Sequence, residues 1–122
     1  MLLSDFLKGV KAKIDTPEKW CKQNMCVKSD GRLAKLWDED VAKCCIVGSM
    51  MIRRGELAGD WKLPFPSWLN DLYSQAKEAL TDHTNGQALP SFNDEHTHAE
   101  VMEVFTKAIR DAMVDEMLDY EH

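Results

Sequence analysis

Apolar residues in this chain recur mostly at spacings of three and four, which is the period of an amphipathic α-helix. The spacing predicts a first helix over 3–14, a central helix over about 41–52 and a third helix to about Leu80, which Ser67 caps. A longer last helix should follow Thr97 and run to about Leu118. The pattern therefore predicts an all-α protein, a compact bundle of four to five helices.

The central helix is the clearest periodic segment. Its apolar positions follow the i, i+3, i+4, i+7 template: Val41, Cys44, Cys45, Gly48, Met51 and Ile52. Asp38 or Asp40 can cap its start, and Gly55 is placed to end it in the left-handed conformation. Glycine in mid-helix costs about 1 kcal/mol relative to alanine, so we expect another element to pack closely against Gly48.

Turn and capping residues mark the remaining boundaries. Thr16 and Pro17 open a short helix that should carry Trp20 and Cys21 and stop near residue 24. An Asp-Gly pair at 30–31 between two short apolar runs allows a minor β-hairpin near residues 25–36, supported by the helices. Thr97 and Glu100 have the spacing of a capping box, which begins the last helix.

Length, charge and hydropathy restrict the class of protein. The 122 residues suffice for one core, so we expect a single helical domain over 1–122. The net charge of −6 argues against direct nucleic-acid binding. No apolar run approaches the length of a membrane span, and the N-terminal residues do not follow a signal-peptide pattern, so we expect a cytoplasmic protein that does not bind membranes.

The charge is distributed unevenly. Residues 1–35 contain eight basic and four acidic residues, whereas residues 36–122 contain seven basic and seventeen acidic residues. Three acids of the last helix, Asp111, Asp115 and Asp119, are spaced to form an exposed face that could meet a basic protein partner. A solvated acidic face is the alternative interpretation.

A second candidate surface for a partner is the aromatic, proline-bounded segment after the central helix. Trp61, Phe65 and Trp68 could anchor a partner protein, because aromatic side chains dominate many interfaces. The alternative is that this segment lays its rings over the helical core.

The segment from residue 93 to residue 100 concentrates ionisable side chains: Asn93, Asp94, His96, His98 and Glu100. These residues could hold a divalent metal or supply an acid–base pair. The structural interpretation is that residues 93–94 form a turn, Glu100 belongs to the cap and both histidines are partly exposed. The spacing favours the structural interpretation, because His-x-His across a helix start directs one ring away from the other.

The four cysteines do not form a recognisable metal motif. Cys21 and Cys26 are followed by adjacent Cys44 and Cys45, a spacing unlike the common zinc patterns. We predict that all four are reduced thiols, with Cys44 and Cys45 as small core residues. No metal or other cofactor is expected.

Three segments of the chain carry a family pattern: Trp20-Cys21, the Cys45-x-x-Gly48 helix within residues 42–50, and the block Phe92-Asn93-Asp94 with Thr97–Val101. Together they resemble an uncharacterised family of small bacterial and bacteriophage proteins. The resemblance spans about 20–109, and residues 55–70 depart from the pattern. It implies a shared scaffold and origin, with no established activity and no catalytic residues.

The sequence therefore favours a non-enzymatic protein-binding module. The narrower hypothesis is a phage accessory factor that modulates a host protein through an acidic or aromatic surface. The alternative is a small metal-dependent enzyme that uses the segment from Asp94 to Glu100.

Overall fold

The computed structural model describes residues 1–61 and 63–121 and confirms the all-α bundle with a minor sheet. Five α-helices lie within the described residues: α1 (Leu3–Ala12), α2 (Ile46–Ala58), α3 (Ser67–Thr81), α4 (Leu89–Glu95) and α5 (His98–Glu121). A 3₁₀ turn covers Pro17–Lys19, and the strands β1 (Cys26–Val27) and β2 (Lys43–Cys44) pair antiparallel.

Helices α1 and α5 form the centre of the bundle and run antiparallel. Ser4 at the start of α1 contacts Glu116 near the end of α5, whereas Ile14, just after α1, contacts His98 at the start of α5. The core combines apolar side chains from every helix: Phe6, Leu7, Val10, Ile46, Met50, Leu69, Leu80, Leu89, Val101 and Phe105. Across the described residues, no helix has the combination of length and apolar character needed to cross a membrane.

The central helix begins at Ile46, so the prediction that it starts near residue 41 is wrong. Cys44 is buried in β2, opposite Cys26 of β1, and not in a helical stripe. Cys45 occupies the N-cap position, where its Sγ accepts a hydrogen bond from the Gly48 amide at 3.3 Å. The helical period gave the wrong start because Cys44 in β2 and the following residues of α2 bury their side chains in the same core, so that their apolar positions look like one stripe.

The two glycines of α2 are both explained by close contacts. A Cβ atom on Gly48 would overlap the backbone carbonyl of Met25, which confirms the expected close packing. Gly55 does not end the helix; the indole ring of Trp61 lies against it. The helix ends instead at Gly59, whose φ of 72° supplies the left-handed stop residue.

The small sheet differs from the predicted local hairpin in its partner strand. The turn at Asp30-Gly31 forms, with Gly31 at a φ of 88°, and Val27 makes an isolated bridge to Leu33. The paired strand, however, is Lys43–Cys44, so residues 28–42 leave the sheet and return to it.

Three predictions about local structure also need correction. The short helix after Thr16 is only the 3₁₀ turn at Pro17–Lys19, and Ser67 is the first residue of α3, with Pro66 at the N-cap. Asn93 and Asp94 lie in α4 and not in a turn. Helix α4 has seven residues, too few to show a helical period in sequence, and its start is marked by a proline in the first turn.

Candidate functional site

Asn93 is the most highly connected polar side chain of the segment 93–100. It is fully buried on α4. Its Oδ1 accepts hydrogen bonds from Trp20 Nε1 at 2.8 Å and from the Ile46 amide at 3.0 Å. Its Nδ2 donates to the Cys21 carbonyl at 3.0 Å and to Asp94 Oδ1 at 3.3 Å. Both donors and two acceptor sites of the amide are thus satisfied, as a buried asparagine requires.

These bonds join three distant parts of the chain. Trp20 and Cys21 follow the 3₁₀ turn, Ile46 is the first residue of α2, and Asn93 lies on α4. The Ile46 amide is one of the helix-start donors that have no partner within the helix, so Asn93 satisfies part of the α2 N-terminus. The three segments that carry the family resemblance therefore meet at one buried side chain, which we call the Asn93 hub.

Asp94 extends the hub to the protein surface. Its Oδ1 accepts the amide of Gln23 at 2.7 Å. Gln23 has a φ of 69°, a backbone conformation that residues other than glycine adopt rarely. The carboxylate therefore holds a strained turn in place, and a small cavity of about 240 Å³ lies between this turn, Cys45 and Asn93.

Both histidines are half-buried, as predicted, and both contact the backbone. His96 donates from Nδ1 to the Phe92 carbonyl at 2.9 Å and stacks on the Phe92 ring. His98 donates from Nε2 to the Ile14 carbonyl at 2.7 Å, and its ring lies 5.6 Å from that of Trp20. The two rings thus serve different local structures and do not converge on one point.

The capping box at the start of α5 is present. The Glu100 amide donates to Thr97 Oγ1 at 3.2 Å, and the Thr97 amide donates to Glu100 Oε1 at 3.0 Å. The Thr97 amide and hydroxyl both favour the charged carboxylate and so lower the pKa of Glu100 below its usual value. The contribution of Glu100 to stability is therefore complete above the usual carboxyl range and is lost as pH falls through the lowered pKa.

We expect Thr97→Ala to reduce the free energy of unfolding by about 0.5–2 kcal/mol, because it removes the side-chain acceptor of the helix start. Thr106→Ala is the matched control, since Thr106 is another exposed threonine of α5 and bonds only back to the Met102 carbonyl and to Lys11. Urea unfolding of both variants measures the difference. Equal losses in the two variants would contradict a role for the capping box.

The four cysteines are clustered by the sheet. The Cys21 amide donates to the Cys44 carbonyl at 3.0 Å, and the Sγ atoms of Cys26 and Cys44 lie 2.8 Å apart. Burial is the main cause that raises the pKa of Cys21, to about 11, and that of Cys45. Within residues 1–61 and 63–121, no group of three or more His, Cys, Asp or Glu side chains is arranged to hold a metal ion.

Two of the three predicted aromatic residues pack on the protein. Trp61 covers Gly55 of α2, and the Phe65 ring lies 4.6 Å from the guanidinium of Arg54, which also faces Tyr73 at 4.2 Å. Trp68, in contrast, is half exposed at the start of α3. The predicted aromatic cluster is therefore not one continuous exposed surface.

Trp37 is a further exposed aromatic residue, outside the helices and strands. It is 58% exposed, and its ring lies 6.2 Å from that of Trp61. The two rings border a groove of about 610 Å³, which also reaches Lys13, Val41 and Cys44. Trp37 lies in an irregular segment without periodicity, so no sequence signal connects it with Trp61.

The predicted acidic residues lie on α5, all three exposed. Asp111 is 2.7 Å from His83 Nε2, while Asp115 and Asp119 follow one and two turns later. Four large apolar side chains on the same two turns are also exposed: Met113, Val114, Met117 and Leu118. We call these seven residues the α5 end surface.

The fold and the hub define a small helical protein whose most connected polar residue has a structural role. A family model described as a family of unknown function, DUF6197, matches residues 1–111, so the chain belongs to this family. The match includes all three segments that meet at the Asn93 hub. No curated protein and no solved structure matches the chain.

Proposed function

We propose that the chain is a non-enzymatic protein-binding module and that the α5 end surface binds a basic amphipathic helix of another protein. The observation that carries the proposal is the exposure of four large apolar side chains on two consecutive helical turns. Met113 is 43%, Val114 48%, Met117 63% and Leu118 50% exposed. Contiguous exposed apolar residues bordered by charge are typical of interaction sites.

The geometry of α5 explains why these side chains are exposed. Between His98 and Leu118, the buried apolar residues of α5 end at Ala112. Asp115 and Asp119 follow Ala112 by three and seven residues, so acids replace apolar residues where the core-facing stripe would continue. The last turns therefore extend past the core, and Glu116 fixes them to α1 by accepting from the amide and the hydroxyl of Ser4 at 3.0 and 2.7 Å.

The charge on this surface selects the chemistry of the partner. Residues 111–119 contain four acidic and no basic residues. On a helix, Asp111, Asp115 and Asp119 form a row at i, i+4 and i+8, and Leu118 and Val114 lie beside that row. A helix with an apolar stripe beside lysine or arginine residues complements both features, and helix-in-groove recognition uses this arrangement.

A groove next to the surface provides space for partner side chains. About 390 Å³ lies between the start of α1 and the end of α5, and it is bordered by Leu2, Lys8, Met113 and Met117. A long apolar side chain of the partner would enter this groove. The acidic row lies on the opposite side of α5 from Met113 and Met117, so other residues of the partner would face it. Methionine suits such a site because its flexible thioether adapts to different shapes.

The narrower proposal concerns origin and partner. The resemblance to bacteriophage proteins supports a phage accessory factor whose partner is a host protein with a basic surface. The alternative, a metal-dependent enzyme that uses the segment from Asp94 to Glu100, gains no support from the described residues. The side chains of Asp94, His96, His98 and Glu100 are engaged in separate backbone and capping contacts.

The test uses a synthetic amphipathic helix with leucine on one face and lysine beside it. We expect the triple variant Asp111→Asn, Asp115→Asn, Asp119→Asn to associate about tenfold more slowly than the parent at low salt, because electrostatic steering is lost. The difference should shrink as salt is added. Stopped-flow fluorescence of a labelled peptide measures both rates.

A matched control removes three charges elsewhere. Glu18→Gln, Asp71→Asn and Glu78→Gln are exposed substitutions on other elements and change the net charge equally. We expect this control to retain most of the parent's association rate, and Met117→Ser with Leu118→Ser to abolish binding while folding is preserved. Equal rates for the two triple variants, or unchanged binding after the serine substitutions, would contradict the proposed surface.

A further inference from the structure

Cys26 and Cys44 form a close pair of buried thiols in the small sheet. Their Sγ atoms are 2.8 Å apart, and the side chains are 1% and 4% exposed. A disulfide bond is about 2.05 Å long. The two sulfur atoms therefore need to move by less than an ångström to become bonded.

The strand register explains why these two side chains meet. Cys26 lies directly opposite Cys44 in the antiparallel pair. The Cys45 amide bonds to the Met25 carbonyl at 2.9 Å, one residue outside the pair on each strand, which makes Cys26 and Cys44 a non-hydrogen-bonded pair. In such pairs the Cα atoms are closest and the side chains point to the same face.

The other two cysteines have different surroundings. Cys21 Sγ donates to the Asn24 carbonyl at 3.3 Å, and Cys45 Sγ accepts the Gly48 amide. Each of these sulfurs is thus bonded to backbone, whereas the sulfurs of Cys26 and Cys44 bond to each other. Proximity therefore distinguishes one pair among four thiols.

A route for a small oxidant reaches this pair. Cys44 borders the groove of about 610 Å³ that Trp37 and Trp61 flank. Hydrogen peroxide is small enough to enter such a space. Either sulfur can donate in this contact. With Cys44 as the donor, the hydrogen bond lowers the pKa of Cys26 and so increases the fraction of the reactive thiolate.

We propose that Cys26 and Cys44 are a reversible oxidation site that peroxide converts to a disulfide. The thiolate of one cysteine of the pair attacks one peroxide oxygen, the O–O bond breaks, hydroxide leaves and a sulfenic acid forms. The sulfur of the other cysteine then attacks the sulfenic sulfur, the S–O bond breaks and a second hydroxide leaves. With the two thiol protons, the hydroxides form two water molecules; the thiols lose two electrons and peroxide gains them. A thiol reductant reverses the change by exchange.

The disulfide would constrain the segment that leaves the sheet between the two strands. Residues 27–43 would become a closed loop, and this loop carries Trp37 and part of the groove wall. Oxidation therefore restricts the position of Trp37 relative to Trp61. Closing a loop of this kind also reduces the freedom of the unfolded chain and so raises the melting temperature.

The experiment treats the 122-residue protein with limiting hydrogen peroxide, alkylates the remaining thiols in denaturant and maps the peptides by mass spectrometry. We expect two of the four cysteines to escape alkylation and the linked peptide to join Cys26 with Cys44. Dithiothreitol should restore four alkylated cysteines. Four alkylated cysteines after peroxide, or a linkage between any other pair, would overturn the proposal.

Two variants sharpen the result. Cys21→Ser removes a neighbouring thiol and should still form the disulfide, whereas Cys26→Ser should protect no pair of cysteines. The melting temperature should rise on oxidation of the parent and of Cys21→Ser, and should not rise for Cys26→Ser. If Cys26→Ser does not fold, the peptide map of the parent and of Cys21→Ser decides the outcome alone.

Discussion

Replacing Asn93 with alanine should lower the free energy of unfolding by about 3 kcal/mol or more. The substitution leaves three groups without their partner: Trp20 Nε1, the Ile46 amide and the Cys21 carbonyl. Each buried polar group that loses its hydrogen bond costs about 1–3 kcal/mol. Urea unfolding followed by far-UV circular dichroism measures the loss.

Asn24→Ala is the matched control, because Asn24 is an exposed asparagine in the turn next to Cys21. We expect it to change the free energy of unfolding by less than about 0.5 kcal/mol. Asn93→Asp tests the donor side of the amide: it keeps an acceptor at Oδ1 but places a carboxylate near the Cys21 carbonyl and Asp94. Parent-like stability of Asn93→Ala would contradict the hub.

Gly48→Leu should destabilise the protein by about 1–3 kcal/mol or more, because a side chain at this position overpacks the contact between α2 and β1. Even the Cβ atom alone would overlap the Met25 carbonyl, which belongs to the backbone and cannot rotate away. The thermal melting temperature of Gly48→Leu and of Gly48→Ala measures the effect. In Gly48→Ala, this overlap opposes the gain of about 1 kcal/mol in helix stability that alanine normally gives relative to glycine.

Gly9→Ala is the corresponding control on another helix. The three atoms nearest to a Cβ on Gly9 all belong to the side chain of Arg53, whose flexible end can shift. We expect Gly9→Ala to leave the melting temperature unchanged or to raise it, since alanine favours the helix. Similar melting temperatures for Gly9→Ala and Gly48→Ala would show that the close approach of Met25 is not the reason for Gly48.

Local signals in the sequence predicted some elements well. The capping box at Thr97 and Glu100 and the long apolar stripe that follows it are contained in adjacent residues, and both are present in the structure. The start of α2 could not be predicted in this way. Cys44 is buried because it faces Cys26, which is distant in sequence. A helical template wrongly assigns this apolar position to the buried face of the following helix.

Long-range contacts also explain what sequence analysis missed at the candidate site. The segment around Asn93 was identified from its polar composition, but its role depends on Trp20, Cys21 and Ile46, which no spacing relates to it. Met113 and Met117 follow the helical period of α5, yet both are exposed because the buried apolar residues of α5 end at Ala112. Periodicity indicates which side chains share a face and not whether another element covers that face.

The hub also has a consequence for the order of folding. Its bonds join residues that are 47, 72 and 73 positions apart along the chain. Closing such long loops costs chain entropy before any contact compensates for it. Helices α1 and α5 can therefore form from local contacts, whereas the Asn93 hub forms only after the bundle has assembled. Interactions that form after the folding transition state change the unfolding rate and leave the folding rate nearly unchanged. The contacts of the Asn93 side chain therefore form late in folding. Their loss should increase the unfolding rate more than it decreases the folding rate.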